Sequence, residues 1–438
     1  MSATIIELPH QTALRTPIGH AIRTGESAYK QLEHLYAEGR LPASTVIVDA
    51  SKARHQREFI RSLRESGSDI ILDTKAAELS AVGKFRGAAK GAPWAIADEE
   101  RPLIISDFEP GSNTDLYGKI ARHAVELGVT AVMAPTHFLH AGADDPWLPV
   151  DRAAVLLLRS ALDREGGADI AIDYPLITPH TRLLDGAHRL QLIETLQGLP
   201  IDNLMVRLSG FGADAGPLTI KRTLIALEDL YALGYPVVLD HVGGLVGLSA
   251  LAYGVASGIA HGVGEHDRFD ARDWHKVPKE RDPDSRFGRA TYIPLPGFDK
   301  SFRKADLQAI AAATGGRRLV ACQDRQCCEH GMNSMLANPR AHIAQQKRRA
   351  ITELQQVPDA RRIAHFLDAE MRTAERKAGD LARLNTGDDK LNKALVEGRK
   401  RIDSMARMYE TLAERDRLTA RPIRRRNAFG GANGQGAL

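Results

Sequence analysis

Short runs of branched apolar residues recur along the chain, and most close on a polar or charged position. They occupy residues 45–49, 69–73, 102–107, 129–133, 169–173, 203–207, 236–240 and 257–261. Between most of them apolar positions return with the helical period, over 115–127, 152–163, 186–197 and 218–233. Apolar runs that do not alternate are what a strand buried on both faces shows, and intervening amphipathic helices cover such a parallel sheet. Eight units of this kind predict an α/β fold, a (β/α)8 TIM barrel, rather than an open sheet. No Gly-x-Gly-x-x-Gly follows the first run, which argues against a dinucleotide-binding sheet.

The rest of the chain is organised around that core. Residues 1–43 read as a lead-in with one amphipathic helix over 27–38, and the barrel as 44–300. The barrel's last part, from Gly262, is polar and loop-rich, with an edge strand at 289–296 limited by its prolines. Residues 301–375 form the expected zinc-binding insertion after the last strand. A charged C-terminal helical extension follows over 376–420, with a turn at 385–390. Residues 421–438 are basic and of low complexity, the composition of a disordered tail.

In a barrel the C-terminal ends of the strands form one face, and that face carries chemistry. Here it would gather Asp49, Asp73, Asp107, Asp173, Arg207, Asp240 and His261. One aspartate at a strand end is ordinarily a helix cap. Five at equivalent ends point to acid–base or nucleophilic work in a shared pocket.

Composition narrows the class without deciding it. The chain is 43% hydrophobic and 26% charged, as globular proteins are, and only 5% aromatic, so its core is aliphatic. The net charge is +4, with basic clusters at Lys347-Arg348-Arg349 and at Arg421, Arg424, Arg425 and Arg426 that suit phosphates or solvent. No apolar run approaches the ~20 residues of a bilayer span. The first residues lack the features of a signal peptide, so a cytoplasmic chain with no membrane partner is expected.

All three cysteines, Cys322, Cys327 and Cys328, fall within seven positions, with His330 two residues on. Thiolates and imidazoles so spaced suit Zn2+, which takes four tetrahedral ligands. Adjacent cysteines seldom both reach one ion comfortably. The expected set is therefore Cys322, one or both of Cys327 and Cys328, His330, and a distant histidine from the helical region that carries His342 and His365. Four protein ligands leave no open position, so the zinc would be structural.

The order of these features resembles the tRNA-guanine transglycosylase family and its DNA-modifying deazapurine relatives. That family's Asp-Ser-Gly-Gly-Phe-Gln segment is similar to Asp73-Thr-Lys75-Ala-Ala-Glu78, with Lys75 and Glu78 in place of its aromatic and amide residues. Its next strand, ending in an aspartate, is similar to Ser106-Asp107-Phe-Glu-Pro110, and its glycine-rich base loop to Gly243-Gly244-Leu245-Val-Gly247. Its metal histidine resembles His365 in Ile363-Ala-His-Phe-Leu367. The resemblance spans roughly 45–375 and implies exchange of a guanine for a 7-deazaguanine-type base in DNA or tRNA. Its implied partners are a nucleic acid, a purine or 7-deazapurine base, and a second copy of the chain or an accessory protein.

By that resemblance Asp73 is the acid–base group, Asp107 reads the purine edge, and Gly243, Gly244 and Leu245 receive the base through the backbone. The family's Phe-Asp-Cys nucleophile has no counterpart at Ile259-Ala-His261, which leaves Asp240 first and Glu265 second for that role. Two rival readings stand beside this one. Asp73-x-Lys75-x-x-Glu78 is similar to the Asp-x-Lys-x-x-Asp of barrel decarboxylases, lyases that act on a small phosphorylated substrate. A chain without the nucleophile could also bind nucleic acid and catalyse nothing.

Overall fold

Eight parallel strands close on themselves in the computed structural model, which describes residues 17–25, 28–96, 100–263, 267–277, 292–295 and 297–418. They are β1 (Gly19–Arg23), β2 (Thr45–Asp49), β3 (Asp69–Asp73), β4 (Ala131–Met133), β5 (Ala171–Pro179), β6 (Asn203–Ser209), β7 (Val237–Asp240) and β8 (Gly258–His261). Each pairs with the next, and β8 returns to β1 through Ala260 opposite Ala21. The fold is a (β/α)8 barrel.

The apolar runs form strands because both of their faces are buried. Val46, Val48, Ile70 and Leu72 turn outward into the layer beneath the helices. Ala21, Ile47, Ile71, Ala131, Met133, Met205, Val238 and Ala260 turn inward and fill the barrel axis. The covering helices are α1 (Tyr29–Ala37), α2 (Arg57–Glu65), α3 (Leu116–Leu127), α4 (Trp147–Arg164), α5 (Gly186–Leu196), α6 (Pro217–Asp229) and α7 (Gly244–Ala252).

Two strand expectations need correction. Residues 102–107 make a 3-10 turn, Ile105–Phe108, and not a strand. Pro102 has no N–H for a ladder, and the Asp107 carboxylate takes the Ile104 N–H at 2.8 Å, so the local backbone is served by its own side chain. The strand that replaces it is β1, inside the stretch read as a lead-in. It pairs with both β2 and β8, so the barrel begins well before residue 44. The run at 169–173 is likewise only the beginning of β5, which continues to Pro179.

After β8 the chain does not lay down a helix at once. It passes through Arg268–Phe269, which pairs with Phe211–Gly212, and then the hairpin β9 (Tyr292–Leu295) and β10 (Lys300–Arg303). Only then does α8 (Pro339–Gln355) pack against α1 and α7, in the slot of the eighth barrel helix. Its buried stripe is Ile343, Ala344, Ile351 and Leu354, and Asn338 caps it through the Ala341 N–H. The long helix α10 (Asp389–Leu418) packs on α9 (Arg372–Leu381). It is tied to the barrel where the Tyr409 hydroxyl meets the Ser249 hydroxyl at 2.9 Å. Among the described residues no helix is long and apolar enough to cross a membrane. The basic tail from Arg421 lies outside them.

Candidate functional site

Strand parity builds the site. Two residues beyond the inward Ala21, Ile47, Ile71, Met205 and Val238 come Arg23, Asp49, Asp73, Arg207 and Asp240, so each enters the barrel as a second, charged layer. Arg23 gives Nε to Asp240 at 2.8 Å, Nη2 to Asp240 at 2.6 Å and Nη1 to Asp73 at 2.8 Å. Arg207 crosses to the same two carboxylates, Nε to Asp240 at 2.5 Å and Nη2 to Asp73 at 2.7 Å. The second oxygen of Asp73 accepts the Lys75 N–H at 3.0 Å. All four side chains are buried, Asp240 completely. Burial opposes ionisation, yet the guanidiniums hold both carboxyls well below the usual range.

Above this closed square lies a looser tier. Lys75, in the left-handed backbone region at φ 57°, contacts the Glu78 carboxylate. Asp49 stands 3.6 Å from Arg23 and 4.0 Å from Lys75, its side chain 19% exposed. Burial raises its carboxyl above the ordinary value. His241 sits 4.0 Å from Asp240 with a side chain 32% exposed. Phe269, Ala271 and Trp274 roof the mouth against Ala77 and Ile177. That roof is tied down where the Gly83 N–H reaches the Trp274 carbonyl and the Ala271 N–H reaches the Ser209 hydroxyl.

The remaining expected residues fall elsewhere. Asp107 is held by both Arg101 nitrogens, at 2.7 and 3.0 Å, as well as by Ile104, which makes it a loop lock. Glu265 lies outside the described residues. The Leu245 N–H, read as a donor to a base, is taken by both Asp299 oxygens at 3.0 and 2.9 Å. Gly243 and Gly244 are glycines for the same local reason. A Cβ would collide with the Asp267 carboxylate at the first and the Asp299 carboxylate at the second. His261 has outward parity, meeting His20 at 2.8 Å beneath α8, and burial keeps both imidazoles neutral. Asp173 is inside the barrel at its opposite end, receiving the Asn203 amide at 2.7 Å.

Sequence reasoning missed Arg23, although Ala21-x-Arg23 carries the same apolar-x-charged signature as Ile47-x-Asp49 and Ile71-x-Asp73. Within the transglycosylase resemblance it gave Glu78 and Lys75 no role, and it met them as a charged array only in the rival decarboxylase reading.

The metal group is Cys322, Cys327, Cys328 and His342, whose donor atoms all lie within 4.8 Å of one another. The Cys327 and Cys328 sulfurs are 3.8 Å apart, and His342 Nδ1 is 3.4 Å from each. A tetrahedral ion with metal–sulfur bonds of about 2.3 Å places its sulfurs about 3.8 Å apart, so the group could hold a metal ion. Both adjacent cysteines take part. The histidine is His342 on α8, one of the two in the helical region, and neither His330 nor His365. His330 has a side chain 72% exposed, and His365 lies outside the group. Asp324 shapes the loop by accepting the Gln326 and Cys327 N–H groups at 2.9 and 3.1 Å. Arg40, just before β2, binds the Gln326 carbonyl at 2.8 Å and fastens the loop to the barrel. The hydrogen bonds from Cys328 and His342 pull the Cys327 thiol down to about 4.

No protein-family model matches the sequence, and no curated protein matches it. Among solved structures the chain is similar to a GH26 beta-mannanase from Bacteroides ovatus. The identity is 13%, covering 62% of this chain and 86% of that chain, with a TM-score of 0.38.

Proposed function

We propose that the chain is a glycosyl-transfer enzyme that exchanges a purine-type base in nucleic acid, at the barrel mouth. Asp49, Lys75 and Glu78 are the groups that meet the reacting atoms. One observation carries this reading. Above a floor whose charges are fully matched, two carboxylates flank Lys75 and remain partly open. The whole array sets Arg23, Arg207 and Lys75 against Asp49, Asp73, Asp240 and Glu78, a net charge of −1. Departure of a base leaves positive charge on the sugar, and a net negative, water-poor site stabilises it.

In this scheme an Asp49 oxygen bonds to the anomeric carbon as the bond to the base nitrogen breaks. The electron pair leaves with the base, which takes a proton from Lys75. An incoming base gives its proton back to Lys75 and displaces Asp49. Glu78 holds the Lys75 ammonium in place. Asp73 and Asp240, with their oxygens committed to the arginines and, for one Asp73 oxygen, to the Lys75 N–H, set the field and do not react. A nucleotide would have to leave its stack, and the Phe269–Trp274 roof move aside, for the sugar to reach Asp49.

Nucleic acid and a 7-deazaguanine-type base enter through the transglycosylase resemblance. It is supported by a metal group that lies between the last strand and the helix closing the barrel. The ion that best suits three thiolates and an imidazole is zinc, in a structural role, and free thiols of this kind fit the cytoplasm. Barrels hold phosphate in the loops after strands seven and eight, so the rival lyase on a phosphorylated substrate is less well served, because Asp299 already takes the Leu245 N–H at the start of α7.

The test is incorporation of labelled guanine or 7-deazaguanine into tRNA and DNA. Wild type should label one of them. Asp49→Asn and Lys75→Met should each lower the rate at least a thousandfold with unchanged circular dichroism and melting. Salt-dependent binding without incorporation by wild type would replace this reading with a binding protein.

A further inference from the structure

A cavity of about 390 Å³ lies outside the barrel wall, among the start of α7, the β9–β10 hairpin, α8 and Glu370. That volume is in the range of small-molecule sites. Leu245, Leu248, Ile259, Leu295, Ile343 and Ile351 supply an apolar lining. The cations on the wall are already engaged. Lys347 pairs with Asp267 at 2.5 Å, Arg268 with Asp214 at 2.5 Å and Arg349 with Glu353 at 3.6 Å. Lys300 donates to the Ala394 carbonyl at 3.3 Å.

Glu370 is different. Among the described residues no hydrogen bond or ion pair reaches its carboxylate, and burial, with Glu353 nearby, raises its proton affinity against the weaker opposing pull of His365 and Arg349. It belongs to a π-helical segment, Phe366–Met371, where the wider turn interrupts the α-helical pattern and such interruptions gather at binding sites. Asp299, on the same wall, is pushed up to about 6 by burial. The lining thus carries five carboxylates against four cations, and of the five Asp299 and Glu370 have, among the described residues, no cation at ion-pair distance, Asp299 taking the Leu245 N–H instead. A carboxylate held against apolar surface without a partner is costly, and a charged N–H donor removes most of that cost.

We propose that this cavity is a second ligand site, for a flat organic cation whose N–H groups bind Glu370 and whose apolar face lies against Leu245, Leu248 and Ile351. It stands apart from the barrel mouth and does not depend on the reaction proposed there.

Calorimetric titration of the zinc-loaded full chain with benzamidine, and with neutral benzamide, tests it. Benzamidine should bind one site at least tenfold more tightly than benzamide. Glu370→Gln should abolish that preference, and Leu248→Trp, which fills the cavity, should weaken benzamidine at least tenfold. Asp49→Asn, in the mouth, should change nothing. Equal binding of the two probes, no saturable binding, or a preference that survives Glu370→Gln and falls with Asp49→Asn would overturn the assignment.

Discussion

Asp173→Asn is the perturbation whose size follows most directly from the structure. Asp173 is fully buried, accepts the Asn203 amide at 2.7 Å and, among the described residues, has its other oxygen without a hydrogen-bond partner. Burial pushes its carboxyl up to about 7, and Asp202 and Asp69 add to this, against about 3.9 for an exposed aspartate. The native state therefore keeps a proton that the unfolded chain releases first. Stability falls as pH rises from near 4, and the loss is complete above about 7. At about 1.36 kcal/mol per unit, the full loss is about 4 kcal/mol. An asparagine keeps the shape and never ionises. The variant should be more stable than wild type by about 1–2 kcal/mol at pH 5 and by about 4 kcal/mol at pH 8. Denaturant unfolding of both proteins across this range isolates the term, because titrating groups other than the coupled Asp202 and Asp69 cancel in the difference. A rim aspartate would be ionised in both states. A difference that stays flat between pH 5 and 8, or favours wild type at pH 8, would refute the placement of Asp173 inside the barrel.

Other consequences follow from the same charges and contacts. Asp240→Asn leaves Arg23 and Arg207 short of a carboxylate in a buried layer, and should cost about 3–5 kcal/mol in the unfolding free energy measured with denaturant. A loss under about 1 kcal/mol would mean that water reaches the square. Metal analysis should find one zinc per chain. His342→Ala should lose it, while His330→Ala and His365→Ala should keep it. Stripping the metal with a chelator should speed amide exchange in α8 and in β1 and β8 beneath it, and leave β4 to β6 unchanged. Uniform acceleration would mean that the metal holds the whole fold and not this helix alone.

Much of the barrel was legible because a strand buried on both faces must be apolar at nearly every position. The runs at 45–49, 69–73, 203–207 and 236–240 carry that mark. Gly19–Arg23 does not. Its five residues include a glycine, a histidine and an arginine, and only pairing on both edges makes it a strand. The run at 102–107 failed for the opposite reason, since its own aspartate satisfies the backbone more cheaply than a neighbour would. At the metal group, the cysteine cluster was plain in the sequence. Which histidine joins it depended on where α8 docks.

The chain's order of residues alone determined which side chains could share a face, because parity along a strand is a local property. Strand ends read from the sequence marked Asp49, Asp73, Arg207 and Asp240 as one charged tier, but marked Asp107, Asp173 and His261 with them. Only the tertiary structure decided that Asp73 and Asp240 are consumed by Arg23 and Arg207, that Asp173 lies at the far end, and that His342 completes the thiol group. Each of these is a meeting of residues distant in sequence, and barrel closure and helix docking set such distances where no local pattern records them.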